Sequence, residues 1–170
     1  MHETRLQRSF FVRDVLEVAP DLLGKHIVVN KNGQFLKYQI NEVEAYRGEE
    51  DLACHASKGK TGRNQIMYQP GGFVYVYLIY GMYWMLNFVT GDIDNPQAVL
   101  IRGVEEADGP GKLTRKLGID KSFYGEDLTK SDRIWVENGN FKGSITTGKR
   151  IGIDYAGNYW KNKPWRYYII

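Results

Sequence analysis

The segment from Phe73 to Val89, "FVYVYLIYGMYWMLNFV", constrains the fold most, because almost every one of its 17 residues is apolar or aromatic. A run close to the roughly 18 residues that cross a bilayer raises the question of a membrane helix. Seven of its residues are aromatic, however, and Gly81 divides it. Aromatic residues are typical of strands, and glycine is typical of turns. The segment therefore predicts two buried strands joined by a turn, and not a membrane span.

The predicted turn, Tyr80-Gly81-Met82, has two large side chains where polar residues are usual. An exposed tip of this kind leaves apolar surface in water unless a partner covers it. The alternative is that Tyr80 folds back onto the core.

A chain of 170 residues with 42% hydrophobic residues and no long linker can bury one substantial core. We therefore predict a single domain over residues 1–170. Hydrophobic alternation and turn residues predict a mixed α+β fold, in which Asn32-Gly33 closes a hairpin. Helices are predicted over 12–18 and 110–117, and strands over 26–30, 34–44, the two arms of the 73–89 run, 97–105, 133–137 and 149–154.

Two connecting segments also have recognisable signals. Pro20 is expected to begin a second helical turn that Gly24 ends. The segment 50–69 is irregular and polar, which predicts a long loop or a short helix of the kind that often contributes to function.

The formal net charge is only +3, but the basic residues are unevenly distributed. One cluster consists of Lys58, Lys60 and Arg63, and the segment 149–170 has five basic residues against Asp154 alone. Clusters of this kind attract phosphate groups, and they also occur as ordinary solvated surface. Charge by itself leaves both interpretations open.

The chain has a single cysteine, Cys54, which excludes an internal disulfide bond, and its three histidines are too few for a Cys/His zinc centre. We therefore expect no metal or other cofactor. The first residues lack the apolar core of a secretory signal, so we expect a cytoplasmic protein. Cys54 and His55 are neighbours, and adjacent side chains on an extended segment point apart, which argues against a cysteine hydrolase.

The candidate chemistry lies in "NEVEAY", where strand alternation places Ile40, Glu42, Glu44 and Tyr46 on one face. Burial could raise the pKa of Glu44 and make it a general base. On these residues alone, a solvent-facing or ion-paired glutamate is the more usual arrangement. Glu42 and Glu44 are also spaced by about 7 Å, as in inverting glycosidases, although two neighbours on one strand seldom flank a substrate.

Seven motifs, in this order along nearly the whole chain, resemble those of the alkyladenine (methylpurine) DNA glycosylases. They are "EAY" at 44–46, His55, "RN" at 63–64, "YVYLIYGMYWMLN" at 75–87, "VLIRGVE" at 99–105, "GPGKL" at 109–113 and "RIGI" at 150–153. The chain resembles the compact bacterial-type members. The resemblance implies a single α+β domain with a curved, mostly antiparallel sheet, a protruding β-hairpin and peripheral helices.

The resemblance also implies how DNA is bound. Tyr80 would enter the minor groove and fill the gap left by a flipped nucleotide, with Met82 as a groove contact. Tyr46, His55 and Tyr77 would line the pocket for the flipped purine. A further implied role is exclusion of normal guanine by Asn87, with a structural hydrogen bond at the strand end as the alternative. Lys58, Lys60 and Arg63 are interpreted as phosphate contacts near the pocket, and of these Arg63 alone lies within one of the seven motifs.

For the reaction, the resemblance implies that Glu44 activates water and that Arg102 orients it. No lysine occupies a motif position suited to Schiff-base attack, so we predict a monomeric, monofunctional glycosylase that acts on damaged purines in double-stranded DNA and leaves an abasic site. Arg102 in a structural salt bridge is the plainer interpretation of that residue. A non-catalytic DNA-binding module and a small-molecule N-glycoside hydrolase remain as alternative functions.

Overall fold

The strands of the protein form one sheet in residues 4–170, which are the residues that this computed structural model describes. The strands are β1 His26–Lys31, β2 Gln34–Arg47, β3 Val74–Ile79, β4 Tyr83–Thr90, β5 Gln97–Val104, β6 Ala107–Asp108, β7 Ile134–Glu137, β8 Ile145–Gly148 and β9 Arg166–Ile169. The main order is β3-β4-β5-β2-β1-β7, with β6 beside β5, β9 beside β2 and β8 beside β9. Every pairing is antiparallel, which confirms the α+β fold class.

The apolar run folds as the predicted hairpin. Strands β3 and β4 pair from Val74 opposite Phe88 to Ile79 opposite Tyr83. In the described part of the chain, no helix is long and apolar enough to cross a membrane.

Four helices accompany the sheet in the described residues: α1 Arg8–Phe11, α2 Val15–Leu22, α3 Pro110–Leu117 and α4 Gly157–Lys161. The prediction for α3 is confirmed, with Pro110 at its start and Gly118 in the left-handed conformation after its end. The prediction of a helix over 12–18 followed by a new turn at Pro20 is wrong. Helix α2 begins later because Asp14 caps it by accepting a hydrogen bond from the Leu16 backbone, and it continues through Pro20.

Strand β2 is irregular between Ile40 and Val43, where its register against β5 shifts on both sides of Glu42. Ile40 is buried in the same core as Val43 and Ala45. The prediction that Ile40 shares a face with Glu42, Glu44 and Tyr46 is therefore wrong, because the irregularity moves the side-chain alternation by one residue. Beyond it the alternation is regular, and Glu44 and Tyr46 lie opposite to that core.

The predicted strand over 149–154 is also wrong. The strand in this region is β8, just upstream, and it pairs with β9. The following residues leave the sheet because Arg150 turns into the interior and the backbone NH of Ile151 donates to the Glu44 side chain. Gly152 has a φ of 76°, a left-handed conformation that breaks an extended strand.

The two faces of the sheet pack against different parts of the chain. Val74 and Val76 of β3 belong to the main core, which α2 and α3 cover, whereas Tyr75 and Tyr77 face a second cluster. The loop predicted over 50–69 covers this second face with two 3₁₀ turns, His55–Lys58 and Gln65–Tyr68. The aromatic side of the hairpin is thus closed in by a loop.

The hairpin tip is strained as well as exposed. Tyr80 and Gly81 have φ values of 55° and 66°, and the Met82 NH donates to the Ile79 carbonyl at 3.1 Å, as in a type I′ turn. A left-handed conformation is an outlier for a residue as bulky as tyrosine. Tyr80 is 84% exposed and Met82 is 62% exposed, so burial within residues 4–170 does not account for these residue types.

We predict that Tyr80→Asn stabilises the protein, because asparagine adopts positive φ more readily and little buried surface is lost. A gain of about 1 kcal/mol would raise the midpoint of thermal unfolding by about 2–4 °C. The matched control is Tyr159→Asn, which removes a tyrosine that is 66% exposed on helix α4 and has an ordinary φ. A lower melting temperature for Tyr80→Asn would contradict the strained turn.

Candidate functional site

The Glu44 side chain is completely buried, and its carboxylate has three compensating neighbours. Oε1 accepts a hydrogen bond from the Tyr46 hydroxyl at 2.7 Å, and Oε2 accepts one from the Ile151 backbone NH at 2.7 Å. The Arg102 guanidinium lies 3.6 Å from Oε2. Burial raises the pKa of Glu44 above its ordinary value, and Arg102 together with the two hydrogen bonds opposes that rise. The raised pKa makes the ionised carboxylate a better proton acceptor than an ordinary glutamate.

Arg102 is shared between two carboxylates. Its Nη1 lies 3.6 Å from Glu44 and its Nε lies 3.7 Å from Glu42, distances too long for direct hydrogen bonds. Its buried Nε has no hydrogen-bond partner. Glu42 is also held by Arg166 at 3.1 Å. A contact longer than about 3.5 Å between such groups can be bridged by a water molecule.

A buried ion pair that the sequence analysis missed anchors this site. Arg150 binds both oxygens of Asp51, at 2.6 and 3.0 Å, and both side chains are inaccessible to solvent. Arg150 also donates to the Ala45 carbonyl and lies 4.9 Å from the centre of the Tyr46 ring. The pair connects the loop after β2 to the segment after β8, and it thereby places the Ile151 NH against Glu44.

Aromatic side chains form a pocket next to this carboxylate. Tyr46, His55, Tyr75 and Tyr77 line it, and the His55 and Tyr77 ring centres are 4.5 Å apart. His55 Nδ1 shares a hydrogen bond of 2.8 Å with the Tyr75 hydroxyl. Burial, with the nearby charges of Arg63 and Lys58, lowers the pKa of His55 to about 4. At neutral pH the pocket therefore contains an uncharged histidine.

Hydrogen bonds of one buried side chain fix the conformation of the loop that carries His55. Asn64 is buried, and its side chain donates to the carbonyls of His55 and Gly59 and accepts from the Thr61 NH. The "RN" motif thus has a structural role at its asparagine. The loop presents His55 to the pocket in a fixed orientation.

Asn87 of β4 lies in the pocket wall and is 3% exposed. Its amide nitrogen donates to the Tyr75 carbonyl at 3.2 Å and to the Met85 carbonyl at 3.4 Å. The side chain therefore has the strand hydrogen bonds that were the alternative to a role in selectivity, and it also faces the pocket.

A cleft of about 500 Å³ joins the pocket to the hairpin tip. Tyr46, His55, Tyr77, Tyr80, Arg102 and Ile151 all line it. Glu44 does not line the cleft, but it contacts three lining residues, Tyr46, Ile151 and Arg102. The structure thus brings the predicted arginine, pocket residues and exposed tyrosine to one cleft, with the predicted general base in contact with its wall. Met82 stays exposed beside the tip.

The three basic residues predicted to contact phosphate are exposed but differ in their surroundings. The Arg63 guanidinium lies 5.0 Å from the centre of the Tyr77 ring, at the edge of the cleft. Lys60 lies over Tyr68 at 5.3 Å, and Lys58 lines an adjoining groove with His55 and Arg63. All three lie on the 50–69 loop that carries His55.

Cys54 lies in the pocket wall as an inert thiol. It is buried, and burial raises its pKa to about 11. Nucleophilic cysteines instead have a lowered pKa, so this site does not suit a cysteine hydrolase. In residues 4–170 no group of three or more potential His, Cys, Asp or Glu ligands is close enough to hold a metal ion.

Two further cleft residues had no assignment from sequence. Ile151 contributes a backbone NH, which no residue type signals, and Tyr155 lines both the pocket and the cleft. Ile151 lies within the "RIGI" motif and Tyr155 follows it by two residues, so this motif was the available clue. Together the site offers a proton acceptor, an arginine and aromatic walls for a planar, cationic ligand.

Comparison with known proteins agrees with this geometry. The family model described as methylpurine-DNA glycosylase matches residues 9–108 and 104–170. The chain is 41% identical to a protein from Natranaerobius thermophilus, 44% to one from Desulfitobacterium hafniense and 43% to one from Borreliella burgdorferi, each of which has a name that calls it a 3-methyladenine DNA glycosylase. These alignments cover 96–97% of this chain and 95% of each relative. The chain belongs to the methylpurine-DNA glycosylase family.

Proposed function

We propose that this protein flips alkylated purines such as 3-methyladenine and 7-methylguanine out of duplex DNA and hydrolyses their N-glycosidic bond. The observation that supports this most directly is the cleft that the aromatic pocket residues, Arg102 and the exposed Tyr80 line together, with the buried Glu44 hydrogen-bonded to Tyr46 and Ile151 of that lining. A hydrolase for free nucleosides has no need of the exposed tyrosine, and a binding module has no need of the buried carboxylate.

The pocket chemistry favours cationic bases. Alkylation at N3 or N7 gives a purine a positive charge, and a cation over an aromatic face gains about 0.5 to 2 kcal/mol. Tyr46 and Tyr77 supply such faces. His55 stays neutral because of its lowered pKa, so it adds no repulsion to a cationic base. Asn87 is proposed to exclude normal guanine by contact with its exocyclic amino group, whereas 7-methylguanine, which has the same group, gains the cation–aromatic contact that normal guanine lacks.

Glu44 is proposed to act as the general base. Water is proposed to bind beside this pair, where Arg102 and the Glu44 carboxylate, whose nearest atoms are 3.6 Å apart, can contact the same molecule. As the bond between C1′ and the purine nitrogen breaks, its electron pair leaves with the base and neutralises the alkylpurine. The water oxygen bonds to C1′, and Glu44 takes its proton. The same carboxylate stabilises the positive charge that develops on the sugar.

The product is proposed to be an abasic site that the protein does not cleave further. A lyase step needs an amine to attack C1′, and the described residues that line the cleft include no lysine. Uncharged lesions such as hypoxanthine and ethenoadenine leave less readily, and no acid in the site is assigned to them. We expect slower release of those bases.

Tyr80 is proposed to occupy the gap that the flipped nucleotide leaves, with Met82 in the minor groove. A rigid ring in that gap offsets part of the few kcal/mol that unstacking and unpairing cost. Lys58, Lys60 and Arg63 are proposed to contact the DNA backbone near the pocket. The protein is proposed to act as a monomer in the cytoplasm.

The proposed function predicts that the purified protein releases 3-methyladenine from methylated duplex DNA. Chromatography of released bases gives the rate, and Glu44→Gln is the matched variant because it removes the base with little change of shape. We expect Glu44→Gln to lower the single-turnover rate by about 10² to 10⁴-fold while lesion binding persists.

The alternative functions predict other results in the same assay. Lesion binding by the unmodified protein without release would support a binding module. Hydrolysis of free alkylated nucleosides as fast as of duplex DNA would support a small-molecule hydrolase. Unchanged release by Glu44→Gln would remove Glu44 from the mechanism.

For the hairpin tip we predict that Tyr80→Ser weakens binding to lesion-containing duplex DNA by about 5- to 150-fold, because stacking on an aromatic ring contributes about 1 to 3 kcal/mol per base. The loss should be smaller on single-stranded DNA, where no gap in a duplex stack is filled. Fluorescence anisotropy with both substrates gives the comparison, and thermal unfolding is the control. A variant that melts much earlier yet binds normally would place Tyr80 in a structural role.

A further inference from the structure

Tyr155 is a large aromatic residue at the mouth of the pocket that the proposed mechanism does not use. Its side chain is 71% exposed, a high value for a tyrosine in the wall of a cleft. It lines the pocket together with Tyr46, His55 and Tyr77, and it also lines the cleft that reaches Tyr80. Ligand pockets are lined largely by apolar and aromatic side chains, and an uncovered ring in such a wall is available to contact a ligand.

The structure holds this ring in a fixed place. The Tyr155 hydroxyl donates to the Ala53 carbonyl at 3.1 Å, which connects it to the loop after β2. On either side of it, Ile153 and Ala156 are buried and pack with Ala53 in a small core. Tyr155 is therefore anchored at its hydroxyl and at its backbone, while its ring stays uncovered. A pre-positioned ring loses little conformational entropy when a ligand stacks on it.

Its electrostatic surroundings connect it to the reacting region. The hydroxyl is close enough to Glu44 for that carboxylate to help raise the Tyr155 pKa, after burial of the hydroxyl as the main cause. Tyr155 in turn helps to raise the pKa of Tyr77, for which burial is the main cause. The charged groups around it are Arg150, Asp51 and Glu44. Tyr155 stays a neutral phenol and can offer an aromatic face to a cation.

We propose that Tyr155 is a further base-binding residue, the aromatic wall that stacks on the flipped purine at the pocket mouth. This inference rests on the proposed function, because it assigns a residue to the same pocket. Tyr155 acts on the base itself and not on the DNA backbone. Loss of the ring should therefore weaken the grip on a base in the pocket and leave contacts with the rest of the DNA unchanged.

The test compares two duplexes that differ only in the presence of a base. One contains ethenoadenine as a fluorescent purine, and the other contains a tetrahydrofuran abasic analogue at the same position. Dissociation constants are measured for Tyr155→Leu and Tyr155→Phe, each in a Glu44→Gln background that prevents excision. Tyr159→Leu is the matched control, since Tyr159 is similarly exposed on the adjacent helix α4.

We expect Tyr155→Leu to weaken binding to the purine duplex by about 5- to 150-fold, the range for loss of one aromatic stacking partner. Binding to the abasic duplex should be unchanged. Tyr155→Phe keeps the ring and should retain binding within about threefold, which also separates loss of stacking from loss of folding. The fluorescence of the flipped ethenoadenine should change with Tyr155→Leu and not with Tyr159→Leu.

Equal losses on both duplexes would overturn the inference, because they would show a contact with the backbone. Purine binding by Tyr155→Leu equal to that of its parent would overturn it too. Failure of the proposed function is a different observation: the protein with Tyr155 and Glu44 intact would then neither release alkylated bases nor prefer lesion duplex over undamaged duplex.

Discussion

Burial of the Glu44 carboxylate is the interaction on which the rest of the site depends. An ionised carboxylate removed from water costs several kcal/mol unless charges and hydrogen bonds compensate it. Here Tyr46, Arg102 and the Ile151 NH compensate it in part. The compensation is incomplete, because Arg102 is shared with Glu42, and the pKa of Glu44 stays raised. A carboxylate left in this condition accepts a proton more readily than one in water.

Each of these partners comes from a different part of the chain, and the fold holds them together. Arg102 comes from β5, which pairs with β2 and places Glu44 opposite Leu100. The Ile151 NH is held in place by the buried Asp51–Arg150 pair. Breaking such a pair leaves an uncompensated buried charge, which is strongly destabilising. The ion pair therefore positions the Ile151 NH against the Glu44 carboxylate, although it does not line the cleft.

The β3–β4 hairpin connects recognition to chemistry. Strand alternation places Val76 in the core and Tyr77 in the pocket, and three residues later the chain reaches the exposed Tyr80. Under the proposed function, a pocket wall and an inserting side chain on one hairpin keep a constant spacing, so insertion and capture of the flipped purine would occur at a fixed distance. The strained turn at Tyr80 is consistent with a residue type kept for function at a cost in stability.

The sequence predicted most of what lies on regular strands and less of what lies between them. The hairpin, helix α3 and the Glu44–Tyr46 face follow from local alternation and caps. The irregularity that moves Ile40 into the core does not, because the register depends on how β2 meets β5. Asp51–Arg150 and Tyr155 join segments about a hundred residues apart in sequence, as the contacts of Arg150 with Asp51 and of Tyr155 with Ala53 show. A backbone donor such as the Ile151 NH has no side-chain signature at all.

The central claim, that the buried Glu44 carboxylate is the base, is tested most directly by the pH dependence of single-turnover release of 3-methyladenine, whose alkylated ring has a fixed positive charge. Only ionised Glu44 accepts a proton, so the rate should fall as pH decreases through its raised pKa. The account predicts that the rate falls with a midpoint pH above 4.5, the ordinary pKa of glutamate. This acidic limb of the pH profile should be absent from the residual activity of Glu44→Gln. His55→Gln should retain the limb, since the pKa of His55 is about 4. An acidic limb that persists unchanged in Glu44→Gln would contradict the account.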